Sequence, residues 1–308
     1  MLLCCGEALI DMLPRETTQG EHAFAPYSGG AVFNTAIAAG RLGLPTGMFT
    51  GLSTDLFGQR LAQALDDNGV SCALSARSDS PTTLAFVTLT NGQASYAFYD
   101  ENTAGQMLSE DDLPATLAGV AALFFGGISL VVEPCARAYE ALCLRAAPDH
   151  LVMIDPNIRT GFIRDEAVYR ARLDKMLAVS DVVKLSDEDL AWLEGHDDLE
   201  KGAASVLAKG AKLALITQGA DGVTAYWDGG SLFQSSERVE VIDTVGAGDT
   251  FNAGFLAGLS DAGLLSKNAV AAGLPEDALR AALALGSKAA AVTVSRAGAN
   301  PPRRDELA

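Results

Sequence analysis

The chain has 308 residues, of which 49% are hydrophobic and 20% charged, a balance typical of a globular protein with a sizeable core. Its net charge of −17 argues against nucleic acid and anionic lipid surfaces as partners, because both are themselves negatively charged. The sequence has no run of 18 apolar residues and no basic N-terminal leader, and its five cysteines form no CxxC pair. We therefore expect a cytoplasmic protein with reduced thiols.

Short apolar runs alternate with amphipathic stretches along the chain, which predicts βαβ units around a mostly parallel sheet. Buried strands are predicted at residues 2–10, 46–52, 121–125, 151–155, 181–185 and 213–217. Helices are predicted at residues 30–41, 56–68, 135–147, 166–178, 186–194, 199–209, 247–260 and 276–295. The pattern indicates an α/β fold with helices packed on a parallel sheet.

Two segments interrupt this alternation. Residues 21–28 lie between the first strand and the first helix, and residues 83–100 read as a hairpin with strands 84–90 and 94–99. The two strands are joined at Asn91-Gly92, a strong hairpin turn signal. We expect these segments, about 12–28 and 83–102, to form a small separate sheet that covers the main one as a lid. Because no Pro/Gly/Ser-rich linker divides the chain, we expect one domain over residues 1–308.

The stretch Asp243-Thr244-Val245-Gly246-Ala247-Gly248-Asp249-Thr250-Phe251 carries the most chemical information. It follows a β-type run at residues 238–242 and begins a helix, so Gly246, Ala247 and Gly248 leave backbone N–H groups uncovered at a helix N-terminus. Such a terminus attracts anions. Asp249 in the first turn is then placed to take a proton from a hydroxyl group that attacks phosphorus. The structural alternative is a glycine-rich turn whose acidic residue favours the helix dipole.

Other phosphate-binding and hydrolytic motifs are missing from the sequence. There is no Gly-Lys dipeptide of a Walker A loop and no GxGxxG after the first strand, which argues against P-loop and dinucleotide folds. HExxH and GxSxG are absent as well, which argues against a zinc protease and a serine hydrolase.

Residues 243–251, together with Gly29-Gly30, Asn34, Ala36, Ala39 and Leu42-Gly43, resemble the two signatures of the ribokinase-type (PfkB) carbohydrate kinases. The resemblance extends over nearly the whole chain. It implies a three-layer α/β/α sandwich with a β-sheet lid, and an enzyme that transfers the γ-phosphate of ATP to a sugar hydroxyl.

The resemblance also implies roles for individual residues at the sugar site. Asp11 and Asn34 would bind sugar hydroxyls, which need both donors and acceptors, and Gly29 and Gly30 would let the backbone approach the sugar. Asp155-Pro156-Asn157-Ile158-Arg159 matches the family's D-x-N-x-R segment, in which Arg159 would meet the substrate or the transferring phosphate. We expect Tyr99 of the lid to contact the sugar, with Asp249 as the base.

The nucleotide and metal ions are implied in the same way. Residues expected near ATP are Lys184, Ser186, Thr217, Gly219, Gly222, Gly246, Gly248, Ser287 and Gly298. Asp189 would organise Mg²⁺ through water, although Ser186-x-x-Asp189 is also a plausible helix capping box. A monovalent cation such as K⁺ would lie among Asp243, Val245, Thr293, Arg296 and Gly298.

The lid segment Tyr96-Ala97-Phe98-Tyr99, followed by Glu101-Asn102-Thr103-Ala104, resembles that of bacterial fructokinases. A 2-keto-3-deoxygluconate kinase more often has an arginine shortly after the lid tyrosine, whereas Asp100 and Glu101 here would repel an acid sugar. Fructose is the favoured acceptor, and 2-keto-3-deoxygluconate, other sugars and nucleosides are the alternatives. A non-catalytic sugar- or nucleotide-binding protein is the alternative from another class, and a homodimer could form through the lid.

Overall fold

The computed structural model describes residues 1–90 and 93–307. Over these residues the strands are β1 (Leu2–Cys5), β2 (Leu9–Glu16), β3 (His22–Gly29), β4 (Thr46–Phe49), β5 (Gly51–Ser53), β6 (Val70–Ser71), β7 (Ala76–Ser78), β8 (Leu84–Thr90), β9 (Gln93–Tyr99), β10 (Ala122–Gly126), β11 (Leu151–Asp155), β12 (Val182–Ser186), β13 (Leu213–Thr217), β14 (Gly222–Trp227) and β15 (Gly230–Ser235). The α-helices are α1 (Ala31–Arg41), α2 (Leu56–Asp67), α3 (Cys135–Ala146), α4 (Glu166–Val179), α5 (Asp187–Glu194), α6 (Leu199–Lys209), α7 (Ala247–Asp261), α8 (Lys267–Ala271) and α9 (Glu276–Val294).

A nine-stranded sheet in the order β15-β14-β13-β12-β11-β10-β1-β4-β6 forms the centre of the molecule. Its strands are parallel except at the edge, where β13, β14 and β15 pair antiparallel. Alternate side chains of β1 enter two separate cores: Leu2 and Cys4 pack towards α1, α7 and α9, and Leu3 and Cys5 pack towards α3, α4 and α6. Helices therefore cover both faces, which confirms the predicted α/β/α sandwich.

A second, four-stranded sheet has the order β3-β2-β8-β9. In it β2 pairs antiparallel with β3 and parallel with β8, while β8 and β9 form the predicted antiparallel hairpin. The predicted turn at Asn91-Gly92 lies outside the described residues. We refer to β2, β3, β8 and β9 as the lid sheet.

The single strand predicted at residues 2–10 is wrong, because β1 ends at Cys5 and β2 begins at Leu9 in the other sheet. Residues Gly6, Glu7 and Ala8 connect them. Both strands start with buried apolar residues, so hydrophobicity alone did not reveal the change of sheet. The predicted strand 46–52 is likewise divided at Thr50 into β4 and β5.

The predicted β-type run at residues 238–242 forms no strand. It is an exposed segment in which the side chains of Val239, Val241 and Ile242 face solvent. These apolar residues therefore do not pack in a sheet. The hairpin of β14 and β15 and the short helix α8 were not predicted.

No helix in the described part of the chain is long and apolar enough to cross a membrane.

Candidate active site

Polar residues gather at the carboxyl ends of the central strands, which is where open α/β sheets bind ligands. Asp155 is the last residue of β11, Lys184 lies near the end of β12, and Asp249 lies in the first turn of α7. All three side chains are buried. The sheet and the N-terminus of α7 thus bring together residues that are far apart in the sequence.

The glycine-rich start of α7 has the geometry expected of an anion site. Gly246 adopts a left-handed conformation with φ of +80°, and an added Cβ would lie 2.7 Å from the Cβ of Ala299, so a larger residue is excluded there. Gly246 provides no side-chain cap, and the N–H of Ala247 donates to the carbonyl of Thr244 at 3.3 Å, so the turn offers the N–H groups of Gly248 and Asp249 to an anion. An added Cβ on Gly248 would lie 3.2 Å from the Lys184 ammonium, so that positive charge lies directly beside the glycine turn.

Asp249 is the buried carboxylate of this turn, with 8% of its surface exposed. The side-chain amide of Asn34 in α1 donates a hydrogen bond of 3.0 Å to its Oδ2. Burial raises the pKa of Asp249 to about 7, a net value to which the nearby Asp155 also contributes, although the hydrogen bond from Asn34 and the charge of Lys184 lower it. A carboxylate with a pKa near 7 can accept a proton at neutral pH and is matched to general base catalysis.

Lys184 and Asp155 form a buried ion pair of 2.9 Å beneath the glycine turn. The same Asp155 oxygen accepts a hydrogen bond of 2.7 Å from Asn252, one turn after Asp249 in α7. Sequence reasoning did not identify Asn252, although its position three residues after Asp249 places both on one helix face. The ion pair keeps a positive charge at the anion site even though the chain as a whole is strongly acidic.

Asp189 forms the capping box that was considered as an alternative. Its side chain accepts the backbone N–H of Ser186, and the Ser186 hydroxyl accepts the backbone N–H of Asp189. Its other oxygen accepts the N–H of Ile158 at 2.9 Å. Asp189 therefore anchors the segment that carries Arg159, and each of its carboxylate oxygens already accepts one hydrogen bond.

Arg159 itself is exposed beside the site. Within the described part of the chain, its guanidinium donates to the carbonyl of Ile158 at 3.1 Å and forms no ion pair. Its planar set of donors is therefore available to an anionic ligand.

Gly29 of β3 lies opposite Leu9 and diagonally from Asp11 of β2, and a Cβ on Gly29 would clash with the Asp11 carboxylate. Burial raises the pKa of Asp11 to about 6. Asp11 pairs with Ala85, and Ala85 pairs with Phe98, so Asp11 and Phe98 lie on the same face of the lid sheet.

Tyr99 does not lie on the face of the lid sheet that carries Asp11 and Phe98. Because successive side chains of a strand point to opposite sides, Tyr99 lies on the other face of the lid sheet, packs 5.3 Å from the Phe86 ring centre, and is 63% exposed. The expectation that Tyr99 contacts the sugar therefore passes to Phe98. Alternation in the sequence showed two faces without showing which one points inwards.

A cleft of about 600 Å³ lies between the lid sheet and the start of α4. Phe98 packs edge-to-face on Phe162 at its mouth, with ring centres 4.5 Å apart. Asp100 and Gln106 line this cleft and also a neighbouring small cavity beside Glu7. The acidic residue singled out in the sequence thus borders the space beneath the lid sheet.

A scan against protein families matches residues 1–306 to the pfkB family carbohydrate kinase model. The chain belongs to the pfkB family of carbohydrate kinases. It is 54% identical over 280 residues to a fructokinase of Rhizobium leguminosarum bv. trifolii, covering 91% of this chain and 86% of that protein.

Solved structures agree with this membership. A fructokinase from Xylella fastidiosa with bound ATP matches with a TM-score of 0.88 and 28% identity, over 99% of this chain and 96% of that one. A fructokinase from Vibrio cholerae O395 in a form with fructose, ADP and calcium ion matches with a TM-score of 0.86 and 26% identity, over 99% and 97%. These findings confirm the predicted family, fold class and enzyme class of this pfkB-family chain.

The other expected nucleotide residues of the pfkB-family chain lie on the β13–β14 hairpin and on α9 with the turn that follows it. Thr217 ends β13, and Gly219, with open space around its Cβ position, lies in the turn before β14. Gly222 lies in the hairpin of β14 and β15, where an added Cβ would clash with the Gln234 carbonyl. Packing alone therefore explains why this residue is a glycine. Ser287 is buried in α9, close in sequence to the turn that holds Gly298.

The residues expected to hold a monovalent cation already use several of their oxygen atoms in hydrogen bonds. The Asp243 carboxylate accepts the N–H groups of Val245 at 3.0 Å and Gly298 at 2.9 Å, so it braces the glycine turn against the turn after α9. The carbonyls of Thr293 and Gly298 accept the N–H groups of Arg296 and Asn300. A monovalent cation here would depend on shared carbonyl oxygens, and this site stays a prediction.

Proposed function

We propose that the chain is a fructokinase that transfers the γ-phosphate of ATP to a hydroxyl group of fructose. The observation that carries the proposal is the buried Asp249 carboxylate at the glycine-rich start of α7, with its pKa near 7. Fructose as the acceptor is supported by the 54% identity to the Rhizobium enzyme. ATP as the donor is supported by the relative whose structure contains it.

In the proposed reaction the fructose hydroxyl gives its proton to Asp249 while its oxygen forms a bond to the γ-phosphorus. The bond between that phosphorus and the β–γ bridging oxygen breaks, and ADP leaves. Asn34 holds the base in place, because its amide donates to one carboxylate oxygen and leaves the other free for the proton. A base positioned in this way is expected to accelerate the reaction by a factor of about 10²–10⁴.

Charge that develops on the phosphate is stabilised by groups that are already in place. The N–H groups at the start of α7, the Lys184 ammonium and the exposed guanidinium of Arg159 are the donors available for it. Preorganised donors are effective because they need no rearrangement during the reaction.

Mg²⁺ would neutralise the phosphates of ATP. The described residues contain no cluster of three or more His, Cys, Asp or Glu that could hold a metal ion. Asp189 and Asp155 already accept hydrogen bonds at both oxygens. The ion would therefore be held mainly by phosphate oxygens and water, which agrees with the usual preference of Mg²⁺ in kinases.

The base of the nucleotide is proposed to lie near the exposed segment before the glycine turn. Val241, Ile242 and Val245 expose between 49% and 63% of their surface. The backbone N–H groups of Ile242 and Asp243 donate to the carbonyl of Val294, which ties this segment to the end of α9. Exposed aliphatic side chains next to a phosphate site are suited to the faces of an adenine ring.

The lid sheet is proposed to close over the sugar and to exclude water, which would otherwise compete as the phosphate acceptor. Asp100 at the cleft favours a neutral sugar over one that carries a carboxylate. On the outer face, Phe24 and Tyr99 are exposed and pack on Phe86, and a second copy of the chain is the partner we propose for them.

The proposal is tested by measuring ADP release from ATP with a panel of acceptors that includes fructose, glucose, ribose, a nucleoside and 2-keto-3-deoxygluconate. We expect fructose to give the highest kcat/KM, at least about tenfold above 2-keto-3-deoxygluconate, a difference of about 1.4 kcal/mol. A higher kcat/KM for the acid sugar would contradict the role of Asp100 and the choice of fructose.

A further inference from the structure

Glu7 is a half-buried residue whose carboxylate the proposed reaction does not use. It lies in the connection between β1 and β2, directly after the carboxyl end of β1. Its Oε1 accepts the backbone N–H of Ala31 at 2.9 Å, and its Oε2 accepts the backbone N–H of Ser129 at 3.3 Å. Burial raises the pKa of Glu7, while these N–H groups lower it.

The two N–H groups belong to two different elements, helix α1 and the turn after β10. Ala31 is the first residue of α1, the helix that carries Asn34 to Asp249. Ser129 lies in the turn after β10, the strand that neighbours β1 in the central sheet. A small cavity of about 30 Å³ between Glu7, Ile128 and Asp100 connects this turn with the lid sheet.

The surroundings of Glu7 are shaped for its carboxylate. Gly127 has φ of +69°, and a Cβ there would clash with both Glu7 oxygens. Gly30, the residue before helix α1, has no side chain to cap the helix, and the first turn contains no acidic residue. Glu7 therefore supplies the missing N-terminal acceptor from outside the helix, a role normally held by the residue at the helix start.

From these contacts we propose that Glu7 is a positioning residue of the sugar site, which fixes the start of α1 and hence Asn34 against the turn at 127–129. The inference rests on the proposed function, since it takes this site to be where the acceptor binds. Two donors approach two different oxygens, so the role requires a carboxylate. In Glu7→Gln one oxygen becomes an NH₂ group, which faces an N–H donor and leaves it unpaired.

Asp181→Asn is the matched control. Asp181 is a buried carboxylate that likewise accepts a backbone N–H, from Val152 at 2.9 Å, and it pairs with Lys267 at 2.7 Å. It precedes β12 and so lies at the amino ends of the parallel strands, away from the site. The same chemical change, from a carboxylate to an amide, is thus made at the opposite end of the parallel strands.

The experiment measures KM for fructose and for ATP in the wild type and in both variants, with melting temperatures as a check on folding. Glu7→Gln is expected to raise KM for fructose about tenfold and to leave KM for ATP within about twofold. Asp181→Asn is expected to lower the melting temperature and to change neither KM.

An unchanged KM for fructose in Glu7→Gln would overturn the inference, and so would an equal rise in both KM values. If Glu7→Gln does not fold, Glu7→Asp gives the same test, because its shorter side chain cannot reach both donors. If the wild type works better on another acceptor, the choice of fructose is wrong, and the KM comparison is made with that acceptor.

Discussion

Replacing Asp249 by Asn tests two consequences of burying a carboxylate at the start of α7, namely its action as a base and its effect on stability. The substitution is nearly isosteric, and the oxygen of the new amide can still accept the hydrogen bond from Asn34. It cannot take a proton from the acceptor hydroxyl. We therefore expect kcat to fall by about 10²–10⁴ while fructose and ATP still bind.

The same substitution is expected to stabilise the folded protein. Burial raises the pKa of Asp249 from 3.8 to about 7, so above pH 7 the native state holds a charge that it disfavours. Below pH 3.8 the group is protonated in both the folded and unfolded states and has no effect. Between these values the wild type loses stability as pH rises, by at most about 4 kcal/mol, since one pKa unit corresponds to about 1.4 kcal/mol.

Two assays on purified wild type and Asp249→Asn test this account. Fructose-dependent ADP release at pH 8 gives kcat, and thermal melts at pH 5 and pH 8 give the difference in stability. We expect the variant to gain stability relative to the wild type between pH 5 and pH 8. Near-normal turnover would refute the base assignment, and a stability difference independent of pH would refute the raised pKa.

Three further substitutions test the sugar and phosphate contacts. Phe98→Ala should raise KM for fructose about tenfold, whereas Tyr99→Ala on the opposite face of the lid sheet should change it less than about twofold; the reverse order would show that the faces are assigned wrongly. Arg159→Lys keeps the charge but loses the planar donor set, so kcat/KM should fall about tenfold or more, and an unchanged value would mean that this guanidinium does not contact the reacting groups.

Strands bounded by clear signals were predictable from the sequence. The predicted bounds 151–155 and 213–217 agree with β11 and β13, because short apolar runs that end at polar residues leave little choice. The apolar residues on both sides of Glu7 looked like one strand because both sheets bury them. The hairpin of β14 and β15 is signalled in the sequence by Asp228-Gly229, a turn dipeptide between its strands, and the apolar pattern alone does not predict it.

The candidate site was predictable where one segment carries the chemistry. Asp249 and its glycines are adjacent in the sequence, so their arrangement follows from the start of one helix. The contacts of Glu7 with residues 31 and 129 depend on tertiary structure alone, and no spacing in the sequence announces them. Phe98 and Tyr99 could not be distinguished because the register to Asp11 decides which one faces inwards.

The most direct test of the central claim is to follow the phosphorus of ATP by ³¹P NMR with wild-type protein and fructose at pH 8. The account predicts that the γ-phosphate signal is converted into that of a fructose phosphate monoester, with one ADP formed for each. Conversion of ATP to ADP and inorganic phosphate without a sugar phosphate, or no conversion at all, would contradict it.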